Sequence, residues 1–269
     1  MPIKPLSVSI VAASLAATSL NASAQEPVPN DEAETETESE AEQSPWKATA
    51  ELGFISTTGN TETTSVQAKM DATHELRRWR NQYKFSGLLK EDEIQLADGS
   101  TSSERTAERY SVSFKSAYKL EDEYSNLFVF GSHTDDQFGA FETYTSLALG
   151  YGARLYHTET MDLDVEVGPG YFWADRQLDD GGTTSEEGAI FRGAVEYNWA
   201  ITQYADFEQT LSVESGADNT RTISDTSLSA RINGSLQMKV GFNLSADSDV
   251  AQDKEKTDTT TYVNLVYKF

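Results

Sequence analysis

The sequence predicts an all-β protein, an antiparallel transmembrane β-barrel of about 12 strands that follows a signal peptide and a disordered acidic segment. Three observations support this prediction. Apolar and polar residues alternate from Trp46 to Phe269, short and long connections alternate between these runs, and the chain begins with an export signal. Because successive residues of a strand face opposite sides of a sheet, the alternation predicts strands with one apolar face.

Residues 1–24 are predicted to be a signal peptide. Lys4 supplies a positive start, Ile10–Leu20 is a run of apolar and small residues, and the segment from Ala22 to Ala24 fits a small-x-small cleavage site. Cleavage after Ala24 would leave a mature chain that begins at Gln25. The absence of cysteine excludes a lipid anchor at this site, as well as disulfides and thiolate metal sites.

Residues 25–45 are predicted to be a disordered linker. Acidic residues recur there with Ala, Thr, Ser and Pro, and no large apolar side chain is available for burial. Because like charges at this density repel one another, the segment is expected to stay extended and solvated. We favour a spacer over the alternative, a tail that binds cations or a partner.

Residues 46–269 are predicted to form the barrel. The first strand has apolar residues at alternate positions, and so does the last: Trp46, Ala48, Ala50, Leu52 and Phe54, then Val263, Leu265, Tyr267 and Phe269. Short connections are expected at 77–80, 120–123, 158–161, 200–203 and 233–235, and longer polar loops at 57–62, 92–104, 135–140, 174–187, 216–221 and 247–258. This asymmetry is typical of outer-membrane barrels with periplasmic turns and extracellular loops, and it predicts both termini in the periplasm.

The apolar face is predicted to face outer-membrane lipid, because a 12-strand barrel is too wide for Ala, Val and Leu to fill. Aromatic residues gather at the run ends, where girdles meet lipid headgroups. The short-turn girdle is predicted to contain Trp46, Tyr118, Tyr124, Tyr197, Trp199 and Tyr267, and the loop-side girdle Phe54, Phe141, Tyr171 and Trp173. The alternative is a soluble exported β-barrel whose inward apolar face binds an apolar ligand.

Composition and charge narrow the choice of function. The 269 residues contain 21 Lys and Arg against 44 Asp and Glu, for a net charge of -23. Such an acidic chain is a poor partner for nucleic acid, whose phosphates require a basic face. Phosphate-binding loops, zinc signatures and dinucleotide fingerprints are absent from the sequence, so no cofactor is predicted.

Several short motifs resemble known families. The terminal sequence TYVNLVYKF, with Tyr267 and with Phe269 last, is similar to the assembly signal of bacterial outer-membrane barrels, which implies recognition by the barrel-assembly machinery. The chain also resembles the YdiY-like family of salt-induced outer-membrane proteins. The motifs that carry this second resemblance are AELGF at 50–54, TGNTET at 58–63, RWR at 78–80, DDQF at 135–138, GYG at 150–152, GPGY at 168–171 and LVYKF at 265–269. The resemblance implies an outer-membrane location and a link to salt or envelope stress.

The polar face of the strands is predicted to line the lumen with bases and acids on largely opposite arcs. The residues that form these arcs are Lys69, Lys84, Lys115, Arg154, Asp162, Asp164, Glu166, Arg192, Asp206 and Glu208. Across an open lumen, the arcs would create a transverse field that acts on passing solutes. In a closed lumen, the same groups would pair as a salt-bridged interior. We favour a narrow or occluded lumen, because barrels with clear aqueous channels usually have 16–18 strands.

Two further site hypotheses concern the loops and a histidine. The loops are acidic, and Asp247, Asp249 and Asp253 have a spacing loosely suited to a divalent cation, although the glycine and the final glutamate of a calcium loop are missing. A solvated outer surface is the simpler interpretation. An outer-membrane lipid hydrolase is the enzymatic alternative, and Ser132, His133 and Asp135 are the grouping that resembles a nucleophile, base and acid. However, Ser132 and His133 are neighbours in a strand and should face opposite sides. The protein is therefore predicted to be non-enzymatic.

Overall fold

A computed structural model describes residues 44–57, 63–95, 101–122, 124–177, 182–250 and 255–269. The described residues form twelve β-strands: β1 (Trp46–Thr57), β2 (Thr63–Glu75), β3 (Trp79–Gln95), β4 (Thr101–Lys119), β5 (Ser125–Asp136), β6 (Thr143–His157), β7 (Met161–Gln177), β8 (Thr183–Thr202), β9 (Ala205–Ser215), β10 (Thr220–Arg231), β11 (Leu236–Asp247) and β12 (Thr257–Lys268). Within these ranges, no helix is long and apolar enough to cross a membrane. The predicted signal peptide and nearly all of the predicted linker lie outside the described residues.

The twelve strands form a closed antiparallel barrel. Each strand pairs with its neighbour in sequence, and β12 returns to pair with β1. At this seam Leu52 lies opposite Leu265, and the backbone N–H of Phe269 donates a hydrogen bond of 3.0 Å to the carbonyl of Ala48. The pairing of Thr49–Gly53 with Asn264–Lys268 closes the sheet on itself, as a β-structure in lipid requires. The predicted 12-strand antiparallel transmembrane barrel is confirmed.

The five short connections all lie at one rim, which we call the short-turn end, and the opposite rim is the long-loop end. Both ends of the barrel, Trp46 and Phe269, lie at the short-turn end. Side chains fix the turns there: the side-chain amide oxygen of Asn233 accepts hydrogen bonds from the backbone N–H groups of Ser235 and Leu236, at 3.1 and 3.0 Å. In the turn before β5, the hydroxyl and backbone N–H of Ser125 donate to Asp122, which holds the pKa of that carboxyl below its usual value.

The outer face of the barrel carries an apolar belt. Alternate residues of every strand expose large side chains there, and Leu149, in the middle of β6, is 62% exposed. Other members of the belt are Leu52, Phe54, Met70, Phe85, Val112, Phe114, Leu127, Val129, Leu147, Val167, Phe191, Leu228, Met238, Val240, Phe242, Val263 and Leu265. An apolar surface that surrounds a closed barrel is stable in lipid and unfavourable in water.

Glycines let β6 and β7 lie close together and leave room for the ring of Phe128 inside the barrel. A Cβ atom placed on Gly168 would meet the carbonyl of Leu149 and would lie 2.6 Å from the Cα of Gly150. A Cβ on Gly150 would also lie 2.9 Å from the ring of Phe128, which is buried. Gly168 therefore permits the close approach of β6 and β7, and Gly150 leaves the space that Phe128 occupies at the wall.

Candidate functional site

The barrel encloses a cavity of about 1480 Å³. Its lining reaches Arg77, Arg78 and Glu121 in the turns at the short-turn end and extends to Tyr144 and Arg221 deeper in the lumen. Most of the residues between these levels are charged or carry hydroxyl and amide groups. This charged vestibule is the candidate site.

Nine of the ten lumen residues named from the sequence line this cavity. They are Lys69, Lys84, Lys115, Arg154, Asp162, Asp164, Glu166, Arg192 and Glu208. The tenth, Asp206, lies near the short-turn rim, where its carboxylate is 3.9 Å from the Lys268 ammonium and 3.5 Å from the Gln237 amide. The alternation thus places all ten charged groups on the inner face of the barrel. Several of the bases pair directly with acids, so the two charges do not form separate arcs.

Near the short-turn end, ion pairs join bases to acids within the lumen. The Lys115 ammonium on β4 lies 2.5 Å from the Glu166 carboxylate on β7, although two strands separate them in the sheet. Arg154 donates to Asp164 at 2.8 Å and lies 3.8 Å from Asp162. A contact between β4 and β7 spans a chord of the barrel and narrows the vestibule.

In the middle of the lumen, a second chord joins β2 to β10. The Lys69 ammonium lies 3.6 Å from the Asp225 carboxylate and 4.0 Å from the centroid of the Tyr262 ring, whose hydroxyl donates to Asp225 at 2.7 Å. Close by, Lys239 lies 2.6 Å from Glu51. Each of these charges therefore has a partner, as buried charges require.

Deeper in the lumen, five side chains form a constriction, which we define as Tyr144, Ser146, Arg192, Glu214 and Arg221. Glu214 accepts hydrogen bonds from Tyr144 at 3.0 Å and from Ser146 at 3.1 Å, and it pairs with Arg192 at 2.9 Å. The Arg221 guanidinium lies 4.4 Å from the centroid of the Tyr144 ring. Since Tyr144 belongs to β6 and the two arginines to β8 and β10, the constriction crosses much of the lumen.

An apolar cluster, which we call the apolar cap, lies on the long-loop side of the constriction. Phe141, Tyr144 and Ala174 are buried together, and Phe172 packs against them. The Arg176 guanidinium lies 4.8 Å from the Phe141 ring. The same guanidinium pairs with Glu186 at 3.1 Å and with Asp249 at 3.2 Å, which ties β7 to the loop before β12.

The cap corrects one prediction about the aromatic girdle. Phe141 was expected at the lipid face on the long-loop side, but it is 3% exposed and lies inside the barrel. Its loop folds inward after Asp136, whose carboxylate accepts hydrogen bonds from the backbone N–H groups of Phe138 and Gly139. Tyr171 and Trp173, which were expected in the same girdle, are exposed on the outer face.

The remaining predicted sites lie as follows. Asp247 accepts a hydrogen bond from Asn219 at 2.9 Å, Asp249 pairs with Arg176, and Asp253 lies outside the described residues. In the described ranges, no group of three or more metal-ligating side chains is placed to hold an ion.

Ser132 and His133, the nucleophile and base of the candidate catalytic group, lie on opposite faces of β5. The Ser132 hydroxyl is 3.0 Å from the Ser146 hydroxyl inside the barrel, and the His133 ring lies 2.8 Å from the Thr145 hydroxyl on the outer face. The wall therefore separates this hydroxyl from this imidazole.

Several lumen residues were not predicted from the sequence. Glu51, Asp225 and Lys239 could have been found, since they fall on the same alternating positions as the charges that were named. The aromatic lumen residues gave a weaker signal. Phe128 and Phe130 stand in an apolar run with Leu127 and Val129, so the alternation does not show which side faces inward.

Closed strand pairing, an apolar outer belt and a charged interior together define a transmembrane β-barrel, the fold of outer-membrane proteins. The chain belongs to the family described as "Protein of unknown function, DUF481", whose sequence profile matches residues 50–269. It is similar to the Uncharacterized protein YdiY of Escherichia coli (strain K12), with 27% identity over 226 residues that cover 84% of each chain. The resemblance to the YdiY-like family is confirmed.

Solved structures with a similar fold include several barrels. The NanC porin is 9% identical, with a TM-score of 0.48, and the match covers 82% of this chain and 98% of that one. An outer-membrane channel from Pseudomonas putida F1 is 9% identical, with a TM-score of 0.48 and coverage of 83% and 95%. The translocator domain of the autotransporter NalP from Neisseria meningitidis is 10% identical, with a TM-score of 0.46 and coverage of 83% and 88%.

Proposed function

We propose that this protein is a non-enzymatic integral barrel of a Gram-negative outer membrane, with a charged vestibule that is closed at the long-loop end. The observation that carries the proposal is the buried constriction around Glu214, together with the apolar cap behind it. In this account the protein is a structural barrel or, when the constriction opens, a narrow pore.

The arrangement of the connections supports an orientation with the short-turn end in the periplasm. Outer-membrane barrels have short periplasmic turns and longer extracellular loops. Both ends of the barrel lie at the short-turn end, where a chain exported through a signal peptide would arrive. The exposed rings of Tyr267 and Phe269 pack edge to face at that rim, 4.8 Å apart, where the barrel-assembly machinery could recognise them.

The pattern of lumen contacts supports occlusion rather than a wide channel. Hydrogen bonds and ion pairs connect strands that are not neighbours, as in Lys115 with Glu166 and Tyr144 with Glu214. A wide pore keeps water between its charged walls, whereas these groups touch directly. The Tyr144 contact is also packed against Phe141 and Phe172, so an opening at this level must disturb the apolar cap.

A role under salt stress, which the family resemblance implies, is consistent with this chemistry. Salt screens exposed charge pairs strongly and buried pairs much less. The pair of Arg192 and Glu214 is largely buried, as is that of Lys239 and Glu51. These contacts would keep the barrel closed when the external salt concentration rises.

The separation of Ser132 from His133 by the wall supports the absence of a serine hydrolase mechanism at this place. A nucleophile and its base must come within hydrogen-bond reach, about 2.6–3.2 Å. An assay of phospholipid hydrolysis with refolded protein tests this part, and hydrolysis that is lost in Ser132→Ala would contradict it.

Single-channel recording in planar bilayers tests the closed lumen. Wild-type protein is expected to insert with little or no steady conductance, because the constriction blocks the path. Tyr144→Ala removes the ring that crosses the lumen and is expected to give steady conductance steps. The matched control is Tyr171→Ala, which removes an exposed ring from the outer face of the adjacent strand. A large conductance in the wild type, or the same closed behaviour in Tyr144→Ala, would contradict the proposal.

A further inference from the structure

The turn between β2 and β3 concentrates positive charge at the short-turn rim, and we call residues 77–80 the arginine turn. Its sequence, RRWR, has three arginines in four residues, whereas the other four short connections, at 120–123, 158–161, 200–203 and 233–235, contain no Lys or Arg. In a chain with a net charge of -23, the arginine turn is a local reversal of the overall charge. One part of the rim therefore differs in its chemistry from the rest.

The backbone of the arginine turn is held on both of its sides. The N–H of Leu76 donates a hydrogen bond of 2.8 Å to the carbonyl of Trp79, which closes a tight turn with Arg77 and Arg78 at its tip. The N–H of Lys119, at the end of β4, donates to the carbonyl of Arg78 at 2.9 Å. Both tip arginines are exposed. Because the backbone that carries them is fixed, less freedom is lost when they bind a ligand.

The two tip arginines form no ion pair within the part of the chain that the structure describes. Glu75 pairs instead with Arg80, at 3.4 Å, and with Lys119. Arg78 donates to the Tyr118 hydroxyl at 3.0 Å, which is a neutral partner. The positive charge at the tip of the turn is therefore available to an anion.

Aromatic side chains place the arginine turn at the level of the lipid headgroups. Trp79 is 44% exposed on the outer face, and its ring packs edge to face against that of Tyr118, with centroids 5.2 Å apart. On the neighbouring strands β1 and β2, Trp46 stacks on His74 with ring centroids 4.1 Å apart. Exposed Trp and Tyr rings of membrane proteins are enriched where hydrocarbon meets headgroups. Arg78, which reaches the polar hydroxyl of Tyr118, then lies among the headgroup phosphates.

We propose that the arginine turn binds the headgroup phosphate of an anionic phospholipid, of the phosphatidylglycerol class, in the inner leaflet of the outer membrane. The guanidinium groups of Arg77 and Arg78 pair with phosphate oxygens, which the planar arginine fork matches in geometry. The acyl chains lie along the adjoining belt, against Tyr83, Phe85 and Phe114, which are exposed on the outer face of β3 and β4. The choice of leaflet rests on the orientation in the proposed function, but the site does not require a closed lumen.

A soluble phosphate ester is the other source of this chemistry, because Arg77 and Arg78 also border the mouth of the vestibule. The adjoining surface favours the lipid, since the arginine turn continues into an exposed apolar belt that acyl chains cover and a soluble ester does not. A carboxylate, Glu121, borders the same mouth. An anion that is held by charge alone meets repulsion there, whereas a phospholipid is held by its chains as well.

Quenching of tryptophan fluorescence by labelled lipids in reconstituted vesicles tests the site. The chain has four tryptophans, so Trp46→Phe/Trp173→Phe/Trp199→Phe leaves Trp79 as the single reporter beside the arginine turn. Phosphatidylglycerol and phosphatidylcholine that carry a nitroxide near the glycerol end of one chain give the relative binding constant of the two lipids there. One arginine near an anionic lipid favours it by about fivefold, so a preference of roughly fivefold or more is expected. The preference should largely disappear at about 1 M salt, where the Debye length falls to about 3 Å.

Two controls match the reporter and the charge. A protein that retains Trp199 alone reports from the short-turn end of β8, next to a turn without Lys or Arg, and should show no such preference. With Trp79 as the reporter, Arg77→Gln/Arg78→Gln should abolish the preference. Arg231→Gln, which removes an exposed arginine at the short-turn end of β10, should leave it unchanged. Heat-modifiable migration on a gel checks the folding of each variant.

Equal quenching of Trp79 by the two lipids at low salt would overturn the proposal. A preference that Trp199 shows to the same extent, or that persists without the two arginines, would overturn it as well. If the lipids quench equally but glycerol phosphate in solution changes the emission of Trp79 only when the arginines are present, the turn is a soluble-anion site and the lipid proposal is wrong. Both leaflets of the vesicles have the same composition, so the result does not depend on the orientation or the conductance of the barrel.

Discussion

Replacing Glu214 with alanine is expected to lower the free energy of unfolding of the barrel by about 2–4 kcal/mol. The carboxylate is 7% exposed and pairs with Arg192 at 2.9 Å while it accepts hydrogen bonds from Tyr144 and Ser146. The substitution leaves a buried guanidinium without a counter-ion and two hydroxyl groups without their acceptor.

The magnitude follows from two opposing effects. Removal of one partner of a buried ion pair typically costs about 3–5 kcal/mol, because the other charge stays buried. Arg192 keeps one favourable contact, since its guanidinium lies 3.8 Å from the centroid of the Phe130 ring. A cation–π contact of this kind retains about 1 kcal/mol. Water that enters from the vestibule can hydrate the freed guanidinium further, so the lower half of the range is favoured.

Equilibrium unfolding by urea from phospholipid vesicles, followed by tryptophan fluorescence, measures the effect. The control is Glu208→Ala, because the Glu208 side chain is 37% exposed and lies 3.6 Å from Lys239. Glu208 is partly exposed and Lys239 keeps its closer partner Glu51, so the loss should be about 0–1 kcal/mol and the control should stay close to the wild type. Adding Arg192→Met to Glu214→Ala should restore part of the loss, since the orphaned charge is removed. Equal losses in Glu214→Ala and Glu208→Ala would refute the reasoning, and so would the absence of any recovery.

Three further predictions concern assembly, packing and the lipid face. Phe269→Ala, or deletion of Phe269, should reduce insertion of the barrel in cells while the purified protein still refolds; normal insertion would count against the assembly signal. Gly168→Ala should prevent folding, as detected by heat-modifiable migration on a gel, because the added methyl group meets the backbone of Leu149 and Gly150. The control Gly193→Ala should fold, since the space around Gly193 is open. Folding of both variants would disprove the packing argument. Leu149→Lys should cost about 2–4 kcal/mol in vesicles, because it places a charge in the apolar belt. Asn243→Lys, inside the lumen beside Asp225, should be tolerated, and similar losses for the two lysine variants would mean that Leu149 does not face lipid.

The regular parts of the fold could be predicted from the sequence, because alternation has a simple physical cause. One face of each strand meets lipid and the other meets the lumen, so the pattern from Trp46 to Phe54 already fixes which residues point outward. The same phase brought Lys69, Lys115 and Glu166 to the interior. The strand pattern therefore predicts which residues line the vestibule as well as the barrel itself.

The closing elements could not be predicted in this way. Phe141 lies in a loop, where no period applies, and its burial depends on the contacts of Tyr144 and Ala174 in three dimensions. The partners of individual charges were equally inaccessible. Lys69 and Asp225 meet across the lumen because the barrel closes, and the spacing of residues along one strand does not show which residues face each other across it.

Thiol labelling in intact cells tests the central claim most directly, which is that the vestibule opens to the periplasm and is closed toward the outside. Ser113→Cys places a thiol in the lining of the vestibule, and Thr183→Cys places one at the exposed start of β8, at the long-loop end. With a bulky maleimide that the outer membrane excludes, only the cysteine at position 183 should be labelled in intact cells. The cysteine at position 113 should become reactive after the membrane is permeabilised. Labelling of position 113 from outside at the rate of position 183 would contradict the closed lumen, and protection of position 183 in intact cells would contradict the orientation.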